Sequence, residues 1–314
     1  MRLAILLVLL SLALNSAAAT GRIFVSNEKG DSVSVIDSKT NQVIKTIVVG
    51  ERPRGVGLAP DGSAVYVAIS GANHIAVINP KSLEVTGHFP SGDDPEAFAV
   101  HKNGNIYISN ENDAKASVYD PHTGKLVAEI EVGIEPEGVA VSPDGTRAIV
   151  TSESTNMLHI IAIPEHTVVN SILVGARPRS VTFSADGKLA YATSEIGGEV
   201  KKVDVASGTI LGKMALSDDQ AKPKDIVVSR DGKQLYVAGG RANRVFVLDA
   251  NSLDIITSVA VGKRVWGLAL SRDGQRLYTT DGVDNQVSVI DTKNHSVVTK
   301  IAVGEAPWGI TIDD

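Results

Sequence analysis

The chain has 314 residues, with 30 Lys and Arg against 36 Asp and Glu, and a formal net charge of −6. That acidic balance argues against nucleic acid or an anionic membrane as the main partner. The absence of cysteine excludes disulfides, thiolate metal sites, thiol nucleophiles and Cys-x-x-Cys-His haem attachment.

In chain order, Arg2 is followed by apolar residues at 3–10 and 12–14, and then by Ala17-Ala18-Ala19. A basic start, an apolar core shorter than the ~20 residues of a spanning helix, and small residues before a cut are marks of a signal peptide. We assign residues 1–19 to that peptide and 20–314 to a single domain, which predicts a periplasmic or secreted protein without a membrane span.

Beyond the leader the sequence repeats. Gly50, Gly92, Gly133, Gly175, Gly262 and Gly304 each end an apolar segment, at steps of 42, 41, 42, 87 and 42 residues. The long step holds two units, with Ser217-Asp218-Asp219 in place of the missing glycine. Asp61-Gly62, Asn103-Gly104, Asp144-Gly145, Asp186-Gly187, Asp231-Gly232 and Asp273-Gly274 recur with nearly the same period. They predict tight hairpins with two positive-φ turn positions. Segments such as 139–141, 235–238, 287–290 and 297–303 are short and rich in Val, Ile, Leu and Tyr, and four of them fit each repeat. Four short strands in about 40 residues are a propeller blade rather than a helical solenoid unit. Arg22-Ile23-Phe24-Val25-Ser26-Asn27 aligns with a second strand, and Ala306-Pro307-Trp308-Gly309-Ile310-Thr311-Ile312 with a first. The expected fold is therefore all-β: a seven-bladed β-propeller of four-stranded blades, closed by the C-terminal strand completing the N-terminal blade, which removes the open edges a linear array would expose.

Phe24-Val25-Ser26-Asn27, Tyr66-Val67-Ala68-Ile69, Tyr107-Ile108-Ser109-Asn110 and Tyr278-Thr279-Thr280-Asp281 resemble the YVTN repeat, a WD40-like β-propeller unit. The resemblance covers essentially all of 20–314. With its leader, repeat number and length, the chain is similar to the PQQ-dependent catabolism-associated β-propeller proteins. That resemblance implies a gene beside those for pyrroloquinoline-quinone alcohol oxidation and a transporter. The function it implies is a non-enzymatic binding or scaffold role there, with a protein or small-molecule partner and no cofactor of the chain's own.

In a propeller, the start of each first strand and the loop after each second strand share one face. Aligning the repeats puts Arg54, Glu96, Glu137, Arg179, Lys224, Trp266 and Trp308 around the channel mouth as candidate partner- or ligand-binding residues. Arg52, Asp94, Glu135, Arg177, Lys222 and Arg264 form a second charged set two positions earlier. Aromatic and arginine side chains are common anchors of recognition. Arg54, Arg179 and Lys224 between two tryptophans would suit an anionic tricarboxylate. The bland alternative is that the tryptophans pack blades together while the rim charges neutralise one another.

The loop acids Glu28, Glu111, Glu153 and Glu195 on the same face suit arginine and lysine partners. The alternative is a divalent metal in a propeller hydrolase or lactonase. The histidines show no ligand spacing and read as surface or turn residues. Asn73, Asn156, Asn243 and Asn285 read as local turn stabilisers. There is no Gly-x-Ser-x-Gly elbow, and Gly197-Gly198 and Gly239-Gly240 lack the strand-to-helix setting of a phosphate cradle.

Overall fold

A computed structural model describes residues 19–314; the signal peptide expected at 1–19 lies, apart from Ala19, outside the described residues. Alternating apolar strands pair into seven antiparallel sheets of four. Six blades are continuous in sequence, at 53–90, 95–131, 136–173, 178–215, 226–260 and 265–302. The seventh is shared: Pro307–Asp313 pairs antiparallel with Arg22–Asn27, followed by Ser32–Asp37 and Gln42–Val48. The ring thus closes through its two ends. Among the described residues no helix is long and apolar enough to cross a membrane.

Period-two patterning fills the spaces between blades. Phe24, Val33 and Val35 of the shared blade pack with Val65, Val67 and Ile78 of the next. Each fully buried side chain of this size is worth about 1.5–3 kcal/mol.

The Asp-Gly and Asn-Gly turns differ from expectation. Only the glycines take positive φ, at 70° in Gly62 and 72° in Gly145 and Gly274. The residue before each glycine instead turns its side chain inward as an acceptor. Asp61 Oδ1 accepts from Ser63 N at 3.0 Å and Asn103 Oδ1 from Asn105 N at 2.9 Å. A four-residue loop with one left-handed glycine needs only that one position freed of a Cβ. In Asp144, hydrogen bonds from Ser142 and Thr146 hold the carboxyl down at about 2.

First strands approach one another around the central channel, and the second strand explains how. In six blades the register between first and second strand slips just after the first strand's opening residue, as between Pro53 and Val56 or between Val265 and Leu268. Such a bulge leaves an N–H without a ladder partner. In five of these blades a Ser or Thr hydroxyl opposite it repairs the loss and links blades, while blade 53–90 has Ala68 at that position. Thr280 Oγ1 accepts from Gly267 N at 2.7 Å and donates to Trp308 O, one blade on, at 2.8 Å. Ser26 accepts from Gly309 N at 2.9 Å and donates to Arg54 O at 2.5 Å. Thr193 does the same between Ser180 N and Lys224 O, at 3.1 and 3.0 Å. Ser109 and Thr151 complete the series.

Candidate functional site

The bulge is also what aims the mouth residues. Arg54, Glu96, Glu137, Arg179, Trp266 and Trp308 each occupy the first bulged position of their strands, where the backbone turns the side chain toward the channel opening. Lys224 stands at the equivalent place, just ahead of the shortened first strand Ile226–Val228. Five of the six residues of the second charged set, Arg52, Asp94, Glu135, Arg177 and Arg264, lie one residue before the strand and adopt left-handed φ between 53° and 58°, while Lys222 stands four residues ahead of the shortened strand Ile226–Val228. Their turns are braced from the preceding blade. Asn73, Asn156, Asn243 and Asn285 accept at Oδ1 from the backbone N–H of Asp94, Arg177, Arg264 and Ala306, each at 2.9 Å and 21 residues away. These asparagines are structural, as their position suggested, but their partners are in the next blade's turn rather than local.

The tryptophans meet. The rings of Trp266 and Trp308 stack with centroids 6.1 Å apart and planes at 27°. Cations surround them: Arg54 lies 5.6 Å from the Trp308 centroid, while Lys224, Arg264 and Arg179 lie 4.0, 5.0 and 5.4 Å from that of Trp266. Gly282 leaves room for Trp266, since a Cβ there would fall 2.8 Å from the ring. Behind the pair lies a channel cavity of ≈ 210 Å³, bounded also by Phe98, Val139, Val181 and Lys224. Trp308 Nε1 is buried and has no hydrogen-bond acceptor.

The buried cations are not free for an anion. Arg54 pairs with Glu96 at 2.5 Å and Glu28 at 3.0 Å. Arg179 pairs with Glu137 and Glu153, and lies 3.6 Å from Glu195. Lys224 Nζ is 2.6 Å from Glu195. An anionic tricarboxylate would have to displace these glutamates, so the cation cradle expected from sequence is already filled by the protein.

Burial pulls the Lys224 ammonium down to about 7, with Arg179 acting in the same sense and Glu195 against it. Burial raises the Glu195 carboxyl, but Lys224, Arg179 and Arg177 outweigh it and the net shift is downward. The Glu96 carboxyl is raised well above the usual range by burial and by Glu137, with Arg54 opposing.

The loop acids therefore have separate fates. Glu28, Glu153 and Glu195 are drawn onto Arg and Lys, while Glu111 joins Asp94 and Glu96 instead. Among the described residues, that trio is the group of three or more potential ligands whose donor atoms come together, all within 4.8 Å. The four loop glutamates do not meet as one metal-sized cluster.

Sequence reasoning missed Asp225, the one carboxylate in a row of small residues that otherwise runs Gly55, Ala97, Gly138, Ser180, Gly267, Gly309. Partly buried, it accepts from Ser180 Oγ, Ile226 N and Leu268 N at 2.8–2.9 Å, and so ties blade 226–260 to the blades on either side. That blade's second strand carries Ala238 where five others carry Ser or Thr, as blade 53–90 carries Ala68. The histidine reading also needs correction. His101 and His159 are buried, and His159 bridges blade segments by accepting from Gly133 N at 2.9 Å and contacting Ser171 Oγ at 2.9 Å.

A closed seven-bladed ring with an aromatic, charge-lined mouth defines a β-propeller. Within that class the chain belongs to the choice-of-anchor I domain family, which matches residues 79–302. Antigen Lp49 of Leptospira interrogans is 30% identical over 145 residues, which are 43% of this chain and 31% of that protein. The chain thus spans less than a third of the length of that relative. Two solved structures are alike in fold. Hydrazine synthase of Kuenenia stuttgartiensis has a TM-score of 0.75 at 22% identity, over 82% of this chain and 88% of that one. A protein provisionally assigned as a 6-phosphogluconolactonase from Bacteroides fragilis has a TM-score of 0.77 at 18% identity, over 94% and 99%.

Proposed function

We propose that this is a non-enzymatic, extracytoplasmic binding propeller that serves PQQ-dependent alcohol catabolism and grips a partner at the channel mouth. The observation that carries the binding reading is the stacked Trp266–Trp308 pair with the buried, unaccepted Trp308 Nε1. A buried indole N–H without an acceptor is costly and uncommon, and a partner carbonyl or carboxylate inserted there would satisfy it. Large aromatics beside exposed Arg264 are the usual centre of a recognition surface.

The connection to PQQ-dependent oxidation and the periplasmic location rest on the family resemblance and the leader. The competing hydrolase reading needs free mouth glutamates, and three of its four candidates are committed to arginine or lysine.

Affinity capture from periplasm of cells grown on an alcohol tests the proposal. The wild-type protein should retain a dehydrogenase, cytochrome or transporter component of that system, and Trp266→Ala should lose it. Recovery of the same proteins by both, or of none by the wild type, contradicts it.

A further inference from the structure

The sector of the mouth around blade 95–131 carries more negative charge than its cations balance. Asp94 and Glu96 sit two residues apart at the start of the first strand, and Glu111 directly follows the end of the second. Because Pro95 pairs with Asn110, the hairpin brings all three carboxylates together, within 4.8 Å. Glu28 lies on the other side of Arg54, at 3.0 Å. Against these four acids stand two guanidiniums, Arg54 on Glu96 and Arg52 at 3.7 Å from Asp94. With all four acids ionised, two negative charges are left over.

A second observation concerns what one of these acids lacks. Glu96 is 0% exposed, and its Oε1 accepts no hydrogen bond. Leaving a charged oxygen sealed from water without a donor is among the costliest arrangements a fold can hold. Asp94, by contrast, already accepts from Ser70 Oγ.

We propose that Asp94, Glu96 and Glu111 hold a divalent hard cation, calcium, at the channel mouth. The donor set is oxygen only, with neither imidazole nor thiolate, which selects calcium or magnesium over transition metals. Three carboxylates from a turn, a strand and a loop form an irregular set, which calcium's variable coordination tolerates and magnesium's strict octahedron does not. A double positive charge cancels the local excess and supplies the partner that Glu96 Oε1 lacks. Calcium there would pin the loop carrying Glu111 to the turn carrying Asp94. This inference does not depend on the partner-binding reading, because neither tryptophan supplies a ligand, although Arg54 touches both Glu96 and Trp308.

The test uses full-length mature protein stripped with chelator and then titrated with CaCl₂, followed by calorimetry and by melting. One site per chain should fill in the ~0.1–1 mM range typical of extracellular modules. The melting temperature should rise with it, while NaCl of equal ionic strength gives no such rise. Glu111→Gln, at a partly exposed loop position, should fold and lose both responses, as should Asp94→Asn. No calcium heat or melting shift up to ~10 mM, above that range, overturns the proposal. So does an unaltered response in both variants.

Discussion

Arg179 shows why a mouth residue can be a poor probe of binding. It is only 8% exposed and is the common partner of Glu137 and Glu153, with Glu195 close by. Removing it leaves buried carboxylates without compensation, which costs about 3–5 kcal/mol. Arg179→Ala should therefore unfold at markedly lower urea than the wild type, and Arg179→Lys should fall between, because one ammonium cannot fork across several carboxylates. A wild-type urea midpoint for Arg179→Ala would show that the network adds nothing. His159 sets a second expectation at this scale. Burial lowers its pKa, so the folded chain keeps the ring neutral while the unfolded chain takes a proton near pH ~6.5. The stability it contributes is present above that value and lost as pH falls through the depressed folded value. The melting temperature of the wild type should drop between pH ~7.5 and ~5 by more than that of His159→Gln; equal slopes would remove His159 from the account.

At the scale of strands, the bulge and its hydroxyl do two things together: they aim the mouth side chain and hold neighbouring blades at the channel. Thr280→Val leaves Gly267 N without an acceptor and Trp308 O without its cross-blade donor, and should cost about 1–3 kcal/mol by urea denaturation. A loss of less than ~0.5 kcal/mol would mean that the backbone repairs itself. Much of this architecture was legible in the sequence. The glycine period, the complementary termini and the aligned mouth positions needed only the pattern of strands and turns, and Trp266 beside Trp308 followed from them. What was not legible depends on side chains meeting across blades. Arg54 reaches Glu96 and Glu137 reaches Arg179 over 42 residues, and the asparagines reach 21 residues ahead. The aspartate of each Asp-Gly turn was read as a backbone position, when its carboxylate is the feature that matters. The Asp94, Glu96 and Glu111 trio could have been found from i and i+2 spacing on one strand and the hairpin register opposite.

For the whole molecule, ring closure turns seven weakly similar repeats into one mouth whose residues come from every blade. Acids and cations cancel over most of that mouth, which leaves, besides the acidic sector of blade 95–131, the stacked tryptophans, the cavity behind them and the exposed Arg264 as the part with unused binding capacity. The central claim is that these tryptophans anchor a partner from a PQQ-dependent alcohol-oxidising system. Its most direct test is calorimetric titration of the purified protein, and of Trp266→Ala, against the purified dehydrogenase and cytochrome of that system. The account predicts a saturable wild-type interaction with one of them, weakened by roughly 30-fold or more in the variant, as expected for a hot-spot loss of about 2 kcal/mol. It also predicts that the variant keeps the wild-type strand content. Equal affinity of the two proteins, or no wild-type binding to either component, would contradict it.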